Sequence, residues 1–185
     1  LAGQAFRFYG SNGYVQVPSS PLLNLSSEAT VELWYRDLGS TPWCGLIAKR
    51  GAYINSPCNY GLSLAPGGSI VAYFGPPNET YLSSSAPLPS TDIFHHVAAT
   101  FQQVSTTQVE IKIYVDGQSM VTNRLAGSLA TSMSDTALTI GASNADGEFF
   151  NGQIDEPAVY SRALTEAEVA AIYAAGASGK CGGPA

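Results

Sequence analysis

The alternation of apolar and polar residues constrains the fold of this chain more than any other feature. It is clearest in Val109–Val115, where every second side chain is apolar, as in a strand with one face in a core and one toward water. Asp116-Gly117 follows directly and favours a tight hairpin turn, with Met120–Leu125 as the return strand. Thr30–Arg36 alternates in the same way. The pattern therefore predicts antiparallel sheets.

Further short runs of strand-forming residues occupy most of the chain, separated by clusters of Gly, Pro, Asn, Asp and Ser that favour turns. These runs lie at Phe6–Tyr9, Tyr14–Val17, Leu46–Arg50, Tyr60–Ala65, Ile70–Phe74, His96–Phe101, Leu138–Ala142 and Gln153–Tyr160. About a dozen short strands and almost no helix predict an all-β fold, a two-sheet antiparallel jelly-roll sandwich.

One short C-terminal helix is expected over about Glu166–Ala175. Thr165 and Glu168 have the spacing of a capping box, and Gly176 is placed to end the helix. A chain of 185 residues suits a single domain. We therefore expect residues 1–176 to form the sandwich and the Gly-rich residues 177–185 to form a flexible tail.

Charge and composition exclude several classes of partner. Fourteen acidic against eight basic residues give a net charge of −6, which disfavours nucleic acid and anionic membrane surfaces. No apolar run approaches the roughly 20 residues of a membrane-spanning helix. Few lysines, many Ser, Thr and Asn residues and an acidic balance favour a secreted protein, in the extracellular space or the cell envelope. The start at Leu1 rather than Met indicates a piece of a longer protein.

The three cysteines, Cys44, Cys58 and Cys181, allow three single disulfides. Cys44 and Cys58 flank the two stretches of a predicted hairpin, so the sequence favours a Cys44–Cys58 bridge. Such a bridge closes a loop of about 15 residues and stabilises the fold by about 3 kcal/mol. Cys181, in the Gly-rich tail, is expected to be free or paired outside this chain. The alternative is three reduced thiols, as in a cytosolic protein.

The order of the motifs resembles the laminin-G-like jelly roll of secreted bacterial proteins, a member of the concanavalin A-like lectin and glucanase fold. The matching segments are Ala5–Pro18, Ala29–Trp34, Leu46–Gly51, Tyr60–Leu62, His95–Phe101, Ile113–Gly117, Ile140–Gly141, Phe150–Glu156 and Tyr160–Thr165. The resemblance covers nearly the whole chain. It implies two antiparallel sheets with an open concave face, and a non-catalytic module in a larger extracellular protein.

The residues do not favour an enzyme. Glucanases of this fold use carboxylates at alternate positions of one strand, but the corresponding segment, Gln153–Glu156, has an amide at its first position. Asp155 and Glu156 are adjacent and point to opposite faces of a regular strand. His95 and His96 are also adjacent, so they cannot share a metal and are expected to be structural. A divergent glycosidase is the least favoured function.

The resemblance also implies a structural calcium ion. Its expected ligands are Asp155 on the last strand, Asn12 in the loop after the first strand, and backbone carbonyls near Gly10. Tyr9 and Gly13 stand where the family often has acids. The alternative is a buried Asp155 carboxylate that accepts hydrogen bonds from backbone N–H groups without an ion.

A glycan-binding patch is expected on the sheet face opposite the core. If Val31, Leu33 and Tyr35 face the core, the intervening side chains face outward, and residues of the last strand join them. The patch consists of Glu32, Trp34, Arg36, Glu156 and Tyr160. An aromatic ring beside planar polar groups suits the C–H face and hydroxyls of a sugar.

Two alternatives to this patch remain open. The face could be bridged by salt links from Glu32 and Glu156 to Arg36 and Arg162, with Trp34 covering them. A second sugar patch could lie at the loop near Trp43 and Tyr53.

The sequence therefore predicts a non-catalytic module, monomeric as an isolated domain, that binds a glycan or glycoprotein for a larger secreted protein. The alternative function is a structural or protein-docking spacer between neighbouring domains that binds no sugar.

Overall fold

Two six-stranded antiparallel sheets pack face to face in the computed structural model, which describes residues 4–40, 43–51, 56–77, 82–144 and 147–176. The strands are β1 Phe6–Tyr9, β2 Val15–Val17, β3 Glu28–Asp37, β4 Cys44–Arg50, β5 Cys58–Ala65, β6 Ser69–Gly75, β7 Leu82–Pro87, β8 His95–Ser105, β9 Gln108–Val115, β10 Gln118–Ala126, β11 Leu138–Ile140, β12 Ala142–Asn144, β13 Gly147–Phe149 and β14 Asn151–Tyr160. Helix α1 spans Glu166–Ala175, and two short 3-10 helices span Pro21–Leu23 and Ala130–Ser132.

The strand order confirms the predicted jelly-roll sandwich. One sheet has the order β1-β14-β3-β8-β9-β10 and carries α1 on its outer face; we call it the helix-side sheet. The other has the order β2-β11-β4-β5-β6-β7, and the β12–β13 hairpin lies against its β4; we call it the hairpin-side sheet. Val31, Leu33 and Tyr35 of β3 are at most 1% exposed in the core between the sheets, as their alternation predicts.

Local turn chemistry determines where several strands end. Asp116 and Gly117 adopt φ values of +49° and +75° and join β9 to β10, which confirms the predicted hairpin. Gly141 interrupts the run predicted at Leu138–Ala142, because its φ of +82° and the nearby Phe8 ring leave no room for a side chain. The run is therefore divided between two strands, β11 and β12.

The strand β7 was not predicted from the sequence. In Leu82–Pro87 the buried positions are Ser84 and Ala86, at 3% and 2% exposure, and the alternate positions are exposed Ser and Pro residues. Burial alternates along this strand while hydrophobicity does not, so the pattern of residue types gave no signal.

Helix α1 has the predicted bounds and the predicted capping box. The Thr165 hydroxyl accepts the Glu168 N–H, and the Glu168 carboxylate accepts the Thr165 N–H at 2.9 Å. Leu164 and Val169 are buried against Ala98 and Tyr114 on the outer face of the helix-side sheet. The helix therefore covers a face that the sequence predicted to be open.

The predicted Cys44–Cys58 disulfide is wrong. Both residues are free, buried thiols. Cys44 pairs with Leu64 and Cys58 pairs with Arg50, so the two lie at opposite ends of the β4–β5 ladder. A disulfide needs Cα atoms closer than about 7 Å, which this register prevents. Burial raises the pKa of the Cys44 thiol to about 11, so it is protonated at neutral pH.

The predicted tail, with Cys181, lies outside the described residues. Among the residues that the structure describes, no helix is both long and apolar enough to cross a membrane.

Candidate functional site

The predicted glycan patch maps to the outer face of the helix-side sheet, where Glu32 is fully buried. One carboxylate oxygen of Glu32 lies 3.1 Å from Nε2 of His96, and the other accepts the Tyr160 hydroxyl at 3.2 Å. Burial, then the Glu32 charge, raises the pKa of Tyr160 to about 12. Glu32 therefore joins three strands instead of facing a ligand, and its predicted place in an open patch is wrong.

Trp34 is also part of this covered face. Its ring stacks on Tyr173 of α1 with centroids 5.6 Å apart and an interplanar angle of 22°, and it lies 5.4 Å from the His96 ring. Neighbouring Arg36 donates to the Gln153 side chain at 3.5 Å. The side chain of Trp34 is partly buried and one face of its ring contacts a protein aromatic, so it packs the helix onto the sheet.

A β-bulge in β14 changes which residues face outward. Asp155 pairs with Trp34, and the register then shifts before Ala158 pairs with Glu32. Glu156, within the bulge, has a φ of +52°. Paired residues share a face, so Asp155 lies on the outer face that strict alternation assigned to Glu156. Tyr160 faces outward as predicted.

The salt links of the alternative interpretation are also rearranged. Arg162 binds Glu168 of the helix through two hydrogen bonds of 2.8 and 2.7 Å. Glu32 is paired with His96. The buried contact between Glu32 and His96 and the packing of helix α1 stabilise this sheet face. Trp34 covers the polar groups, as the alternative predicted.

The structure does not bring the two expected calcium ligands together. Phe6 pairs with Ile154 and Tyr9 with Asn151, so Asn12 lies beyond one end of β14 while Asp155 lies well along it. The Oδ1 atom of Asp155 accepts the Glu156 N–H at 2.9 Å, and Oδ2 is buried without a hydrogen-bond partner in the described part of the chain. The described residues contain no group of three His, Cys, Asp or Glu side chains that could hold a metal. Asp155 and Asn12 therefore do not fit a shared calcium site.

The two histidines face opposite sides of β8, as expected. His96 pairs with Trp34 on the outer face, and His95 pairs with Tyr35 on the inner face. His95 Nδ1 lies 2.7 Å from the Asp116 carboxylate, and its Nε2 lies 3.2 Å from the Ser90 hydroxyl. This order of contacts has the connectivity of a Ser-His-Asp triad. These contacts were not predicted from the sequence, because the three residues come from separate loops and strand ends.

The exposed apolar side chains near these loops mark one end of the sandwich, which we call the loop end. It comprises residues 10–14, 38–40, 43, 66–68, 88–94 and 116–117 and the strand ends that they join. Trp43 is 46% exposed and has a φ of +58°, and Tyr9 and Ile93 are 73% and 56% exposed. The tryptophan of the second predicted patch is therefore available to a ligand. Tyr53 lies outside the described residues.

A cleft of about 230 Å³ opens at the loop end. Its lining consists of Asp37, Ser40, Leu64, Ala65, Pro66, Gly67, Gly68 and Leu88. Trp43 does not line the cleft, but it directly precedes Cys44, which pairs with the lining residue Leu64, so both lie at the same end of the β4–β5 ladder. The loop end thus combines an exposed indole with a cleft of apolar side chains, one carboxylate, one hydroxyl and glycine backbone, and this combination suits a polar ligand with apolar faces.

Hydrogen bonds hold the walls of the cleft. One Asp37 carboxylate oxygen accepts the backbone N–H of Ser40 at 2.9 Å and its hydroxyl at 2.6 Å. The N–H of Leu88 donates to the carbonyl of Gly68 at 2.8 Å. Gly67 and Gly68 have φ values of +83° and +75°, and a Cβ on either would meet no atom within 4 Å. The Gly67–Gly68 backbone that borders the cleft is therefore held by a hydrogen bond, and it has open space on the side where a Cβ would lie.

Trp43 was predicted from the sequence, whereas Asp37, Ser40 and Leu88 were not. An Asp followed three residues later by Ser, just after a strand, is a turn signal that could have indicated the Asp37–Ser40 contact. The approach of Leu88 to the 66–68 turn depends on β7, the strand that was not predicted.

Comparisons with known proteins agree on the fold. Residues 9–170 match a family model described as the concanavalin A-like lectin/glucanases superfamily. Among curated proteins, none is significantly similar in sequence.

Three solved structures illustrate the similarity in fold. The Ruminococcus gnavus IT-sialidase CBM40 bound to α2,3-sialyllactose matches with a TM-score of 0.69 and 12% identity over 92% of this chain and 98% of that one. Domain 4 of AbnA, an extracellular arabinanase of Geobacillus stearothermophilus, in complex with arabinotriose, matches with a TM-score of 0.68 and 21% identity over 91% and 76%. The receptor-binding domain of botulinum neurotoxin mosaic serotype C/D matches with a TM-score of 0.71 and 16% identity over 93% and 42%.

Proposed function

Because the chain belongs to the concanavalin A-like lectin/glucanases superfamily, we propose that it is a non-catalytic module that binds a glycan, free or on a glycoprotein, at its loop end. Trp43 is the observation that carries the proposal, since its indole is 46% exposed and the next residue, Cys44, pairs with Leu64 of a cleft that is also lined by Asp37 and Ser40. A pyranose or furanose ring can stack its C–H face on the indole, with a gain of about 0.5–1.5 kcal/mol in addition to that from burying the apolar area, by analogy with aromatic pairs. Asp37 is only 7% exposed, and its Oδ1 already accepts two hydrogen bonds from Ser40, so its second carboxylate oxygen and the Ser40 hydroxyl are the groups that can meet sugar hydroxyls.

Similar domains support the class of ligand. Solved structures that resemble this fold contain α2,3-sialyllactose and arabinotriose. In this proposal the module anchors a larger extracellular or cell-envelope protein to its target. The competing proposal is a spacer domain that binds no sugar, for which the structure offers no specific feature within the described residues.

A glycan array tests the proposal, with the wild type compared with two variants. Trp43→Ala is expected to abolish binding to every glycan that the wild type retains. Leu22→Ala is the matched control, because Leu22 is 85% exposed and lies at the opposite end of the sandwich, near the Asn59 end of β5. The thermal midpoint of each variant is measured by circular dichroism to separate lost binding from lost folding. Binding that survives Trp43→Ala, or no binding by the wild type, would reject the proposal.

A second candidate function, acyl-ester hydrolysis, is favoured by the Ser90–His95–Asp116 contacts. In that chemistry the Ser90 hydroxyl attacks the acyl carbon while His95 Nε2 accepts its proton, and the Asp116 carboxylate stabilises the imidazolium. The imidazolium then protonates the departing alcohol oxygen as the ester C–O bond breaks. Water, deprotonated by His95, hydrolyses the acyl-Ser90 ester, which releases the acid and regenerates the serine. Hydrolysis of p-nitrophenyl acetate, compared between wild type, Ser90→Ala and the exposed-serine control Ser85→Ala, tests it. Equal rates for all three proteins would reject hydrolysis and leave the contacts with a structural role.

A further inference from the structure

We infer that the loop end selects neutral glycans and discriminates against sialylated or uronic-acid glycans. The inference rests on the proposed function and specifies the charge of its ligand. Among the described residues that line the cleft, the titratable side chain is the Asp37 carboxylate, and none is Lys, Arg or His. A neutral sugar offers hydroxyl donors to such a carboxylate, whereas an anionic sugar would bring a second negative charge toward it.

Asp92 adds a second negative charge close to Asp37. The N–H of Asp92 donates to the carbonyl of Asp37 at 3.1 Å, so the two residues are joined through their backbones. The side chain of Asp92 is exposed, beside exposed Ile93. This carboxylate therefore lies at the solvent-exposed surface of the loop end, where it can interact with a ligand.

Asp116, in the turn between β9 and β10, is a third carboxylate at the loop end. Burial raises the pKa of the Tyr35 phenol, and the charges of Asp37 and then Asp116 raise it further. The charges of Asp37 and Asp116 thus both affect the same buried hydroxyl, that of Tyr35, beneath the loops. His95 contacts Asp116 directly, and its ring lies between Ser90 and that carboxylate instead of facing the cleft.

Two arginines of the helix-side sheet, the exposed Arg7 and the half-buried Arg36, lie outside the lining of the cleft. Arg7 donates to the carbonyls of Phe8 and Gly152 and lies 4.7 Å above the Tyr9 ring. Arg36 donates to Gln153 on the outer face of that sheet. Recognition of an anionic sugar usually depends on a guanidinium or ammonium group that pairs with its carboxylate. Within the described residues, the cleft has no such group among its lining side chains.

Pairs of glycans with the same core, one neutral and one sialylated, test the inference by calorimetric titration of the wild-type protein. The neutral member of each pair is expected to bind about fivefold more tightly at physiological salt. Raising the salt to 1 M shortens the Debye length to about 3 Å and should reduce this ratio.

Two charge variants locate the source of the discrimination. Asp92→Asn removes one charge without disturbing the backbone, because Asn tolerates the φ of +67° at this position. It is expected to reduce the neutral-to-sialylated ratio by about twofold, and Asp37→Asn should reduce it further. Glu166→Gln removes an equal charge from the first turn of α1 and should leave the ratio unchanged.

The outcomes separate the inference from the proposed function. Sialylated glycans that bind as tightly as their neutral partners, in a manner abolished by Trp43→Ala, would overturn the charge selectivity and leave the binding site intact. A neutral-to-sialylated affinity ratio that changes equally in Glu166→Gln and Asp92→Asn would also overturn the charge selectivity. Failure of every glycan to bind would reject the proposed function and the inference together.

Discussion

The two tryptophans of this chain occupy opposite kinds of environment, although both were predicted to contact a ligand. Trp34 lies on a central strand, points away from the core, and is covered by the Tyr173 ring of helix α1. Trp43 lies in the connection between β3 and β4 and is 46% exposed beside a cleft. An outward orientation on a strand therefore does not imply access to a ligand, because another element can cover the face.

The neighbours of each tryptophan explain the difference. Beside Trp34, Glu32 and His96 are fully buried and bonded to each other, which requires a cover that excludes water. Beside Trp43, the polar groups of Asp37 and Ser40 lie at the wall of an open cleft. The first environment is suited to holding a helix on a sheet, and the second is suited to exchanging partners with a ligand.

The largest effect is expected from Trp34→Ala. It removes the ring that packs against His96 and Tyr173, and it should lower the free energy of unfolding by about 3 kcal/mol in urea denaturation. Trp43→Ala should cost less than about 0.5 kcal/mol, as is usual for an exposed side chain. Equal losses for the two variants would contradict the distinction between them.

Glu32→Ala should have the next largest effect on stability. It leaves the buried His96 imidazole and the Tyr160 hydroxyl without their carboxylate partner, at a cost of about 2 kcal/mol in the same denaturation experiment. Glycan binding by the folded fraction should remain, since Glu32 is buried under the helix. Loss of binding with unchanged stability would restore Glu32 to the ligand site.

Thr165→Ala tests the helix as the cover of Trp34. Loss of the capping box should destabilise the protein by about 1 kcal/mol. Thr165→Ser, which keeps the hydroxyl, is the matched control and should behave like the wild type. If Thr165→Ala also increases quenching of Trp34 fluorescence by acrylamide, the helix controls access to that ring; unchanged quenching would argue against it.

The smallest expected effect is on the pH dependence of stability. Hydrogen bonds from Arg162 and then from Thr165 lower the pKa of Glu168 to about 2. Because the folded pKa is depressed, this stabilisation is present above the unfolded pKa of about 4.5 and is lost as pH falls toward 2. Glu168→Gln, which can keep the capping box, should show a weaker loss of thermal stability between pH 4.5 and 2. An identical pH profile would exclude this contribution.

Much of the fold could be predicted from the sequence because its signals are local. Alternation predicted Val109–Val115, and the Thr165–Glu168 spacing predicted the helix. The prediction failed where neighbours in space decide the outcome. A β-bulge at Glu156 places Asp155 on the outer face of the sheet, contrary to strict alternation. The register of β4 with β5 separates Cys44 from Cys58. The cleft was missed because its walls come from three distant segments.

Tryptophan fluorescence tests the central claim most directly, because the chain contains two tryptophans and each can be observed alone. Trp34→Phe leaves Trp43 as the reporter, and Trp43→Phe leaves Trp34. Titration with the glycan that gives the strongest array signal should shift the emission of Trp43 in the first variant and leave the emission of Trp34 unchanged in the second. A shift from Trp34 with none from Trp43 would contradict a binding site at the loop end.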